Sequence, residues 1–191
     1  MRYDQTTAPI GLPIDFDDVL THLGVVDELA YTAVREDILT AMAVIEKRTS
    51  RQLLTATWKL YLDAFPDEIR LEKLPVTGVT SIAYLDTEGA AQTLSSSLYQ
   101  VDCVSPNRPA RIRPVSGQTW PATKGQMNAV TVTFTAGYGA AADVPPTFKH
   151  ALRLLVDHYR AHRGELNVGA VNELPEGLAA ILATEDWGFY G

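Results

Sequence analysis

The chain contains a glycine-rich segment whose letters match a dinucleotide-binding fingerprint. Residues 137–142 read G-Y-G-A-A-A, which fits G-x-G-x-x-A, and they follow a predicted strand. In that fingerprint a helix begins at once, so that its amino end faces the pyrophosphate. Here Pro145 and Pro146 intervene, and a helix tolerates proline only in its first turn. We therefore interpret the segment as a strand-to-helix turn that needs the positive φ of glycine.

Three histidines on one predicted helix have residue types that could bind a metal ion. His158 and His162 are four residues apart, which places them on one helix face, and His150 lies two turns earlier. The glutamate that accompanies such a pair in zinc peptidases is absent beside His158. The same polar side carries four cations, which would repel a metal ion: Lys149, Arg153, Arg160 and Arg163. We interpret this face as solvated or partner-facing, and we expect no metal site.

The residues that could catalyse a reaction give little support for an enzyme. The chain has no G-x-S-x-G motif, and Cys103 lies at the end of a predicted strand with no histidine near it in sequence. The acid pairs Asp17-Asp18 and Glu185-Asp186 lie near helix or chain ends, where capping and solvation explain them. A glycosidase needs two acids across a cleft, which a sequence does not reveal. We expect a protein without enzymatic activity or cofactor, and a small enzyme using carboxylates of the β region stays an alternative.

Charge is distributed unevenly along the chain. The 191 residues carry a formal net charge of −7, which disfavours a dedicated nucleic-acid binder. Residues 104–127 nevertheless hold four bases and no acid, whereas residues 171–191 hold four acids and no base. These segments are either a solvated loop and tail or surfaces for different partners. No apolar run approaches the roughly 18 residues of a membrane span, so we expect no membrane partner.

Three aromatic residues lie close together in the acidic tail. Trp187, Phe189 and Tyr190 occur within four residues, beside two acids and two glycines. Exposed aromatic side chains are a liability for a free monomer. They either fold back onto the core of the chain or anchor a partner, since Trp and Tyr are frequent interface anchors.

The spacing of apolar residues predicts which elements position these groups. Helical periodicity predicts helices over residues 13–24, Asp27–Arg48, from Pro146 to about His162, and a short one near 177–183. Period-two alternation is clearest over 54–62 and 129–135, and predicts strands there. Further candidate strands are residues 68–71, 79–85, 97–102 and 111–114. The rest of the stretch 105–126 is rich in Pro, Gly and Ser and is predicted to be mostly loop.

The order of these elements predicts an α+β fold. Helices come first, short strands follow, and helices return, so we expect a helical bundle core formed by the N- and C-terminal helices, with a β-rich insertion. The expected divisions are residues 1–51 for the N-terminal helices of the core and 52–136 for the insertion. Residues 137–191 would supply the C-terminal helices of the core and the tail.

Several segments, in order and at matching spacing, resemble a family of head-to-tail connector (adaptor) proteins of tailed phages and prophages. The resemblance covers about residues 10–185. The similar segments are Leu53–Trp58, Leu62–Pro66, Leu74–Asp86, Tyr99–Asp102, Gly117-Gln118-Thr119-Trp120-Pro121, Val130–Gly139, Val144-Pro145 and the helix to Arg163.

This resemblance implies a structural protein of the virion neck. Family members form a closed, commonly dodecameric ring beneath the portal and join the head to the tail, while DNA passes through the central channel without specific binding. The implied partners are the portal protein, a tail or stopper protein and further copies of the chain. The implied location is the virion neck, and the host cytoplasm during assembly. Family members dock their C-terminal segment on the portal, which makes Trp187, Phe189 and Tyr190 candidate anchors.

The basic residues are candidates for contacts with a neighbouring copy or the portal. They are Arg108, Arg111, Arg113, Lys124, Arg153, Arg160 and Arg163. A ring uses heterologous interfaces, in which each subunit presents two different patches, and uneven charge could supply them. The hypothesis predicts that reversing Arg111 and Arg113 to Glu blocks ring or neck assembly without unfolding the monomer. Another neck or tail-completion component, such as a stopper, is the alternative within the same particle.

Overall fold

The structure is a computed structural model, and it describes residues 2–162 together with Gly177, Leu178 and Ala180. Within residues 2–162 it contains three α-helices and eight β-strands. The helices are α1 (Phe16–Leu23), α2 (Tyr31–Thr49) and α3 (Pro146–Ala161). The strands are β1 (Arg2–Thr7), β2 (Ala56–Leu62), β3 (Ile69–Leu71), β4 (Val76–Leu85), β5 (Ala91–Thr93), β6 (Tyr99–Asp102), β7 (Ala110–Pro114) and β8 (Val130–Ala136).

These elements divide into two compact units. The first, called the β unit, consists of residues 55–137 and the N-terminal residues up to Pro9, and it contains all eight strands. The second, called the helical unit, consists of Ile10–Leu54 and the described residues from Tyr138 onward. Each unit is therefore assembled from two separate stretches of the chain.

A five-stranded antiparallel sheet forms one layer of the β unit, in the order β1-β2-β8-β4-β5. Its central strand is β8, on which Val132 lies between Leu60 of β2 and Ile82 of β4. Val130, Val132 and Phe134 are fully buried, whereas the threonines between them are partly exposed. The period-two pattern thus gives β8 one apolar face, as the sequence predicts.

A three-stranded antiparallel sheet, in the order β3-β7-β6, forms the second layer. Ile69 of β3 and Ile112 of β7 are opposite each other and fully buried. They belong to the same apolar cluster as Leu60 and Phe134 of the larger sheet. Burying one such side chain stabilises the folded state by about 1.5–3 kcal/mol, so this cluster holds the two sheets together.

The helical unit has its own apolar cluster. On α2, Val34, Ile38, Ala41 and Ile45 recur at spacings of three and four, which places them on one buried face. They pack with buried residues of α3, namely Phe148, Ala151, Leu152, Leu155 and Val156, and of α1, namely Val19 and Leu20. Asp15 caps the amino end of α1, and its Oδ1 accepts the main-chain N–H groups of Asp17 (2.9 Å) and Asp18 (3.1 Å).

The predicted fold class is wrong. We expected an α+β chain whose core is a helical bundle built from both chain ends, but eight strands outnumber three helices within residues 2–162. The strands form two antiparallel sheets with an apolar core of their own, so in the described part of the chain a helical bundle does not form the core as predicted. The sequence also predicts no element before residue 13, whereas Arg2–Thr7 is a strand. Because β1 is mostly exposed and pairs with β2 through its main chain, no apolar pattern marks it.

Candidate interaction surface

Two arginines point outward from the middle strand of the three-stranded sheet. Successive side chains of a strand face opposite sides, so β7 buries Ala110 and Ile112 and exposes Arg111 and Arg113. The two arginine side chains are 52% and 58% exposed. Both are contact candidates from the sequence, and the structure brings them to one face.

Each of these arginines has a carboxylate partner. Arg113 Nε donates to Glu68 Oε2 at 2.6 Å, and Arg70 Nε donates to Oε1 of the same carboxylate at 2.8 Å. Arg111 Nη2 donates to Oδ2 of Asp102, its cross-strand neighbour on β6. The side chain of Glu68 is only 10% exposed. Ion pairs thus connect all three strands of the sheet on its outer face.

The ion pairs fix the protonation of both acids. Hydrogen bonds from Arg70 and Arg113 hold the pKa of Glu68 below its usual value. The hydrogen bond from Arg111 lowers the pKa of Asp102 in the same way. Both acids are therefore ionised at neutral pH and keep their guanidinium partners oriented. A guanidinium carries five N–H donors in a fixed fork, so each arginine retains donors for an acidic group on another molecule.

A groove of about 240 Å³ lies along these ion pairs. It is lined by Glu68, Gln100, Val101, Asp102, Arg111 and Arg113. Its acids are compensated by arginines, so the groove suits recognition of a polar or acidic surface. Among the described residues, no group of three or more His, Cys, Asp or Glu side chains could hold a metal ion. In the same part of the chain, no helix is both long enough and apolar enough to cross a membrane.

The loop between β6 and β7 extends this surface. Val104 is the second residue after β6, is 89% exposed, and donates its main-chain N–H to Oδ1 of Asp102 at 3.5 Å. Arg108 is exposed in the same loop and donates its main-chain N–H to Ser105 O at 3.4 Å. Because Asp102 contacts both Val104 and Arg111, the loop adjoins the outer face of the sheet. Val104, Arg108, Arg111 and Arg113 are called the basic surface from here on.

The other basic candidates lie elsewhere. Lys124 donates its main-chain N–H to Leu85 O at 3.1 Å, and its side chain lies over the turn at Gly89. On α3, Arg153 Nη2 is 3.8 Å from Asp18 Oδ2, and Arg160 Nη1 is 4.0 Å from Asp37 Oδ2. These two pairs link α3 to α1 and α2 within the helical unit. Arg163 lies outside the described residues.

The three aromatic residues of the tail also lie outside the described residues. Trp187, Phe189 and Tyr190 stay candidates from the sequence alone.

Two of the histidines considered as metal ligands contact each other at the end of α3. His162 Nδ1 lies 2.9 Å from the carbonyl oxygen of His158, and the centroids of the two rings are 4.3 Å apart.

The glycine-rich segment is a turn, as the sequence predicts. Gly137 and Gly139 have φ values of +131° and +132°, which L side chains rarely adopt. A β-carbon at Gly139 would also collide with the Asp143 carboxylate, whose Oδ2 accepts the main-chain N–H of Ala140 at 2.9 Å. Tyr138 between the glycines accepts a hydrogen bond at its hydroxyl from Nη1 of the buried Arg51, at 2.9 Å. The segment therefore connects β8 to α3, and its Tyr138 hydroxyl holds the guanidinium of the buried Arg51 in place.

Sequence reasoning missed the acids that orient the arginines. Glu68 lies at the start of a predicted strand, and its partner Arg113 is 45 residues away, so only the sheet register brings them together. It also missed two exposed apolar residues in the connection from α1 to α2, Val26 and Leu29. The sequence could have indicated their exposure, because both residues fall outside the helical spacing of the apolar residues and lie next to the acids Asp27 and Glu28.

The fold can be compared with known structures. Three solved chains match 97% of this chain and 95% of their own length, each at 24% sequence identity. They come from the neck of an empty GTA (gene transfer agent) particle computed with C6 symmetry (TM-score 0.79), the virion of a native GTA particle (0.77) and the neck of a native GTA particle computed with C12 symmetry (0.73). The chain has the fold of a virion neck chain.

This neck-chain fold covers both units, since the match spans nearly the whole length of both proteins. The resemblance to head-to-tail connector proteins is thereby confirmed at the level of the fold. No family profile and no curated protein matches the chain. At 24% identity the property shared with these chains is the fold.

Proposed function

We propose that this protein is a structural component of a virion neck, located in the finished particle and in the host cytoplasm during assembly. The observation that supports it is the full-length fold match to chains of GTA particles, two of them from the neck. The match covers 97% of the chain and therefore includes both units. The proposal extends to a ring, since those necks were computed with C6 and C12 symmetry.

In this proposal the ring is a dodecamer that joins the portal to the tail or stopper protein. DNA passes through its channel without specific binding. A net charge of −7 supports free passage, because few phosphate contacts form with an acidic wall. Trp187, Phe189 and Tyr190 would anchor the tail of the chain on the portal, since Trp and Tyr side chains commonly anchor interfaces.

The charged groove supports an interaction role over catalysis. A general acid at neutral pH needs a raised pKa, because only its protonated form donates a proton. Glu68 and Asp102 instead have lowered pKa values, through hydrogen bonds from Arg70 and Arg111 respectively. Ionised, arginine-paired acids suit a surface that other proteins recognise.

The test is the mass of the purified protein, measured alone and with the portal ring of its particle. The proposal expects a complex of portal and this chain at a fixed copy number, twelve for the dodecamer. The same measurement on Arg111→Glu/Arg113→Glu, in which both exposed cations become acids, should show loss of that complex. Far-ultraviolet circular dichroism of this variant should match the wild type, because both side chains are more than half exposed.

Gln substitutions at the same two positions provide the matched control, since they remove charge without reversing it. A wild-type protein that binds neither the portal nor itself would refute the neck role. Normal assembly by the Glu double variant would leave the neck role intact and remove these two arginines from its interfaces.

A further inference from the structure

The connection between α1 and α2 exposes two large apolar side chains. Val26 is 88% exposed and Leu29 is 90% exposed. Beside them lies a shallow depression lined by Asp17, Leu20, Thr21, Gly24, Val25, Val26 and Tyr31. Apolar residues exposed together beside a depression commonly mark a protein contact site.

Acidic groups surround these apolar side chains. Asp27 and Glu28 lie between Val26 and Leu29 in sequence, and both are exposed. Oδ1 of Asp27 accepts the main-chain N–H of Leu29 at 3.0 Å, which fixes the short 3₁₀ turn Glu28–Ala30 that displays the leucine. Residues 26–29 are called the acidic knob from here on. It presents two apolar side chains and two negative charges on an ordered turn.

The basic surface of the β unit has the opposite charge and a similar apolar element. Val104 is 89% exposed there, and the exposed Arg108 is four residues away in the same loop. Arg111 and Arg113 have intramolecular partners, but Arg108 forms no salt bridge with any residue between 2 and 162. Arg108 is therefore the cation of this surface whose charge is most available to an outside acid.

We propose that the acidic knob of one copy packs against the basic surface of the next copy in the ring. The proposal rests on the ring put forward above. Val26 and Leu29 would cover Val104, and Glu28 would pair with Arg108. A cyclic ring needs two different, complementary patches on each subunit, and this chain carries such a pair. Opposite charges around an apolar centre also select this pairing over contact between like surfaces.

Disulfide capture tests the contact directly. In a Cys103→Ser background, Leu29→Cys copies are mixed with Val104→Cys copies, oxidised at high concentration and separated by non-reducing electrophoresis. The control pair replaces Leu29→Cys with Ile10→Cys, because Ile10 is also apolar, belongs to the helical unit and is 96% exposed. A specific contact raises the local thiol concentration, so we expect about tenfold more heterodimer than from the control pair.

A charge swap then tests the pairing of Glu28 with Arg108. The yield of disulfide-linked heterodimer should fall several-fold when Glu28→Lys is added to the Leu29→Cys copy, because two positive charges would then meet. It should fall equally when Arg108→Glu is added to the Val104→Cys copy, because two negative charges would meet. The two changes together should restore it. Glu36→Lys, at an exposed acid on α2, changes the net charge equally and should leave the yield unaltered.

The outcomes separate this contact from the ring itself. Yields equal to the Ile10 control overturn the proposed contact, and a normal mass with the portal would then keep the neck function. A photocrosslinker at residue 29 that captures the portal, but no second copy of the chain, also overturns it and assigns the knob to the portal. Specific heterodimers without any portal complex would support the contact and remove the portal from the proposed partners.

Discussion

Replacing Ile112 tests whether the buried side of β7 holds the basic surface in place. Ile112 is fully buried and lies between Ile69 on β3 and Val101 on β6. Strands on both sides prevent the site from collapsing, so Ile112→Ala should leave a cavity and cost about 2–5 kcal/mol. Ile112→Val removes one methylene group and should cost about 0.5–1.5 kcal/mol. For a chain of this length each kcal/mol lowers Tm by roughly 2–4 °C.

The assay is equilibrium urea unfolding followed by tryptophan fluorescence. Trp58 and Trp120 both lie in the β unit, so their signal reports the unit that is changed. The urea midpoint should be highest for wild type, lower for Ile112→Val and lowest for Ile112→Ala. The slope of the unfolding free energy against urea concentration should be the same for all three. Arg111→Gln, on the outer face of the same strand, serves as the control and should unfold close to wild type. If both Ile112 variants unfold within about 0.5 kcal/mol of wild type, the account of β7 as a core strand is refuted.

Two further predictions concern pH. The pKa of Glu68 is lowered in the folded protein, so its contribution to stability is present above the ordinary carboxyl pKa and is lost as pH falls through the folded value. Urea midpoints measured from pH 6 down to pH 2 should therefore fall less steeply for Glu68→Gln than for wild type, and parallel curves would contradict the ion pairs. Burial raises the pKa of Tyr3 to about 12, so the folded state keeps its proton while the unfolded chain loses it from about pH 10. The wild-type midpoint should fall between pH 10 and 12, and Tyr3→Phe should remove that part of the fall; an identical fall in both would show that Tyr3 is not responsible.

The sequence predicts elements well where a repeating apolar pattern decides them. The alternation over 129–135 corresponds to β8 (Val130–Ala136), whose alternate residues are buried. The helix expected over Asp27–Arg48 is observed as α2 (Tyr31–Thr49). Its start differs because Asp27 caps a separate 3₁₀ turn at Glu28–Ala30 rather than α2 itself. Local hydrogen bonding of this kind leaves little trace in the apolar spacing.

Features that depend on pairing distant segments could not be predicted. β1 has no apolar pattern, and its place in the sheet depends on main-chain bonds to a strand 50 or more residues away. The same holds for the basic surface. Period-two alternation predicts that Arg111 and Arg113 share one face of β7, but it does not predict their carboxylate partners. Glu68 and Asp102 reach the arginines only through the register of three strands.

The position of β8 has a consequence for how the chain folds as it is made. The central strand of the larger sheet is the last of the eight to be synthesised, at residues 130–136. Until it leaves the ribosome, β2 and β4 each lack a neighbour, and β1 can form only a marginal two-stranded ribbon with β2. At a synthesis rate of about 5–20 residues per second, roughly ten seconds separate the completion of β2 from the completion of β8, when the sheet can close. During that time two unpaired strand edges stay open to aggregation, so slower initiation or a lower temperature should increase the soluble yield.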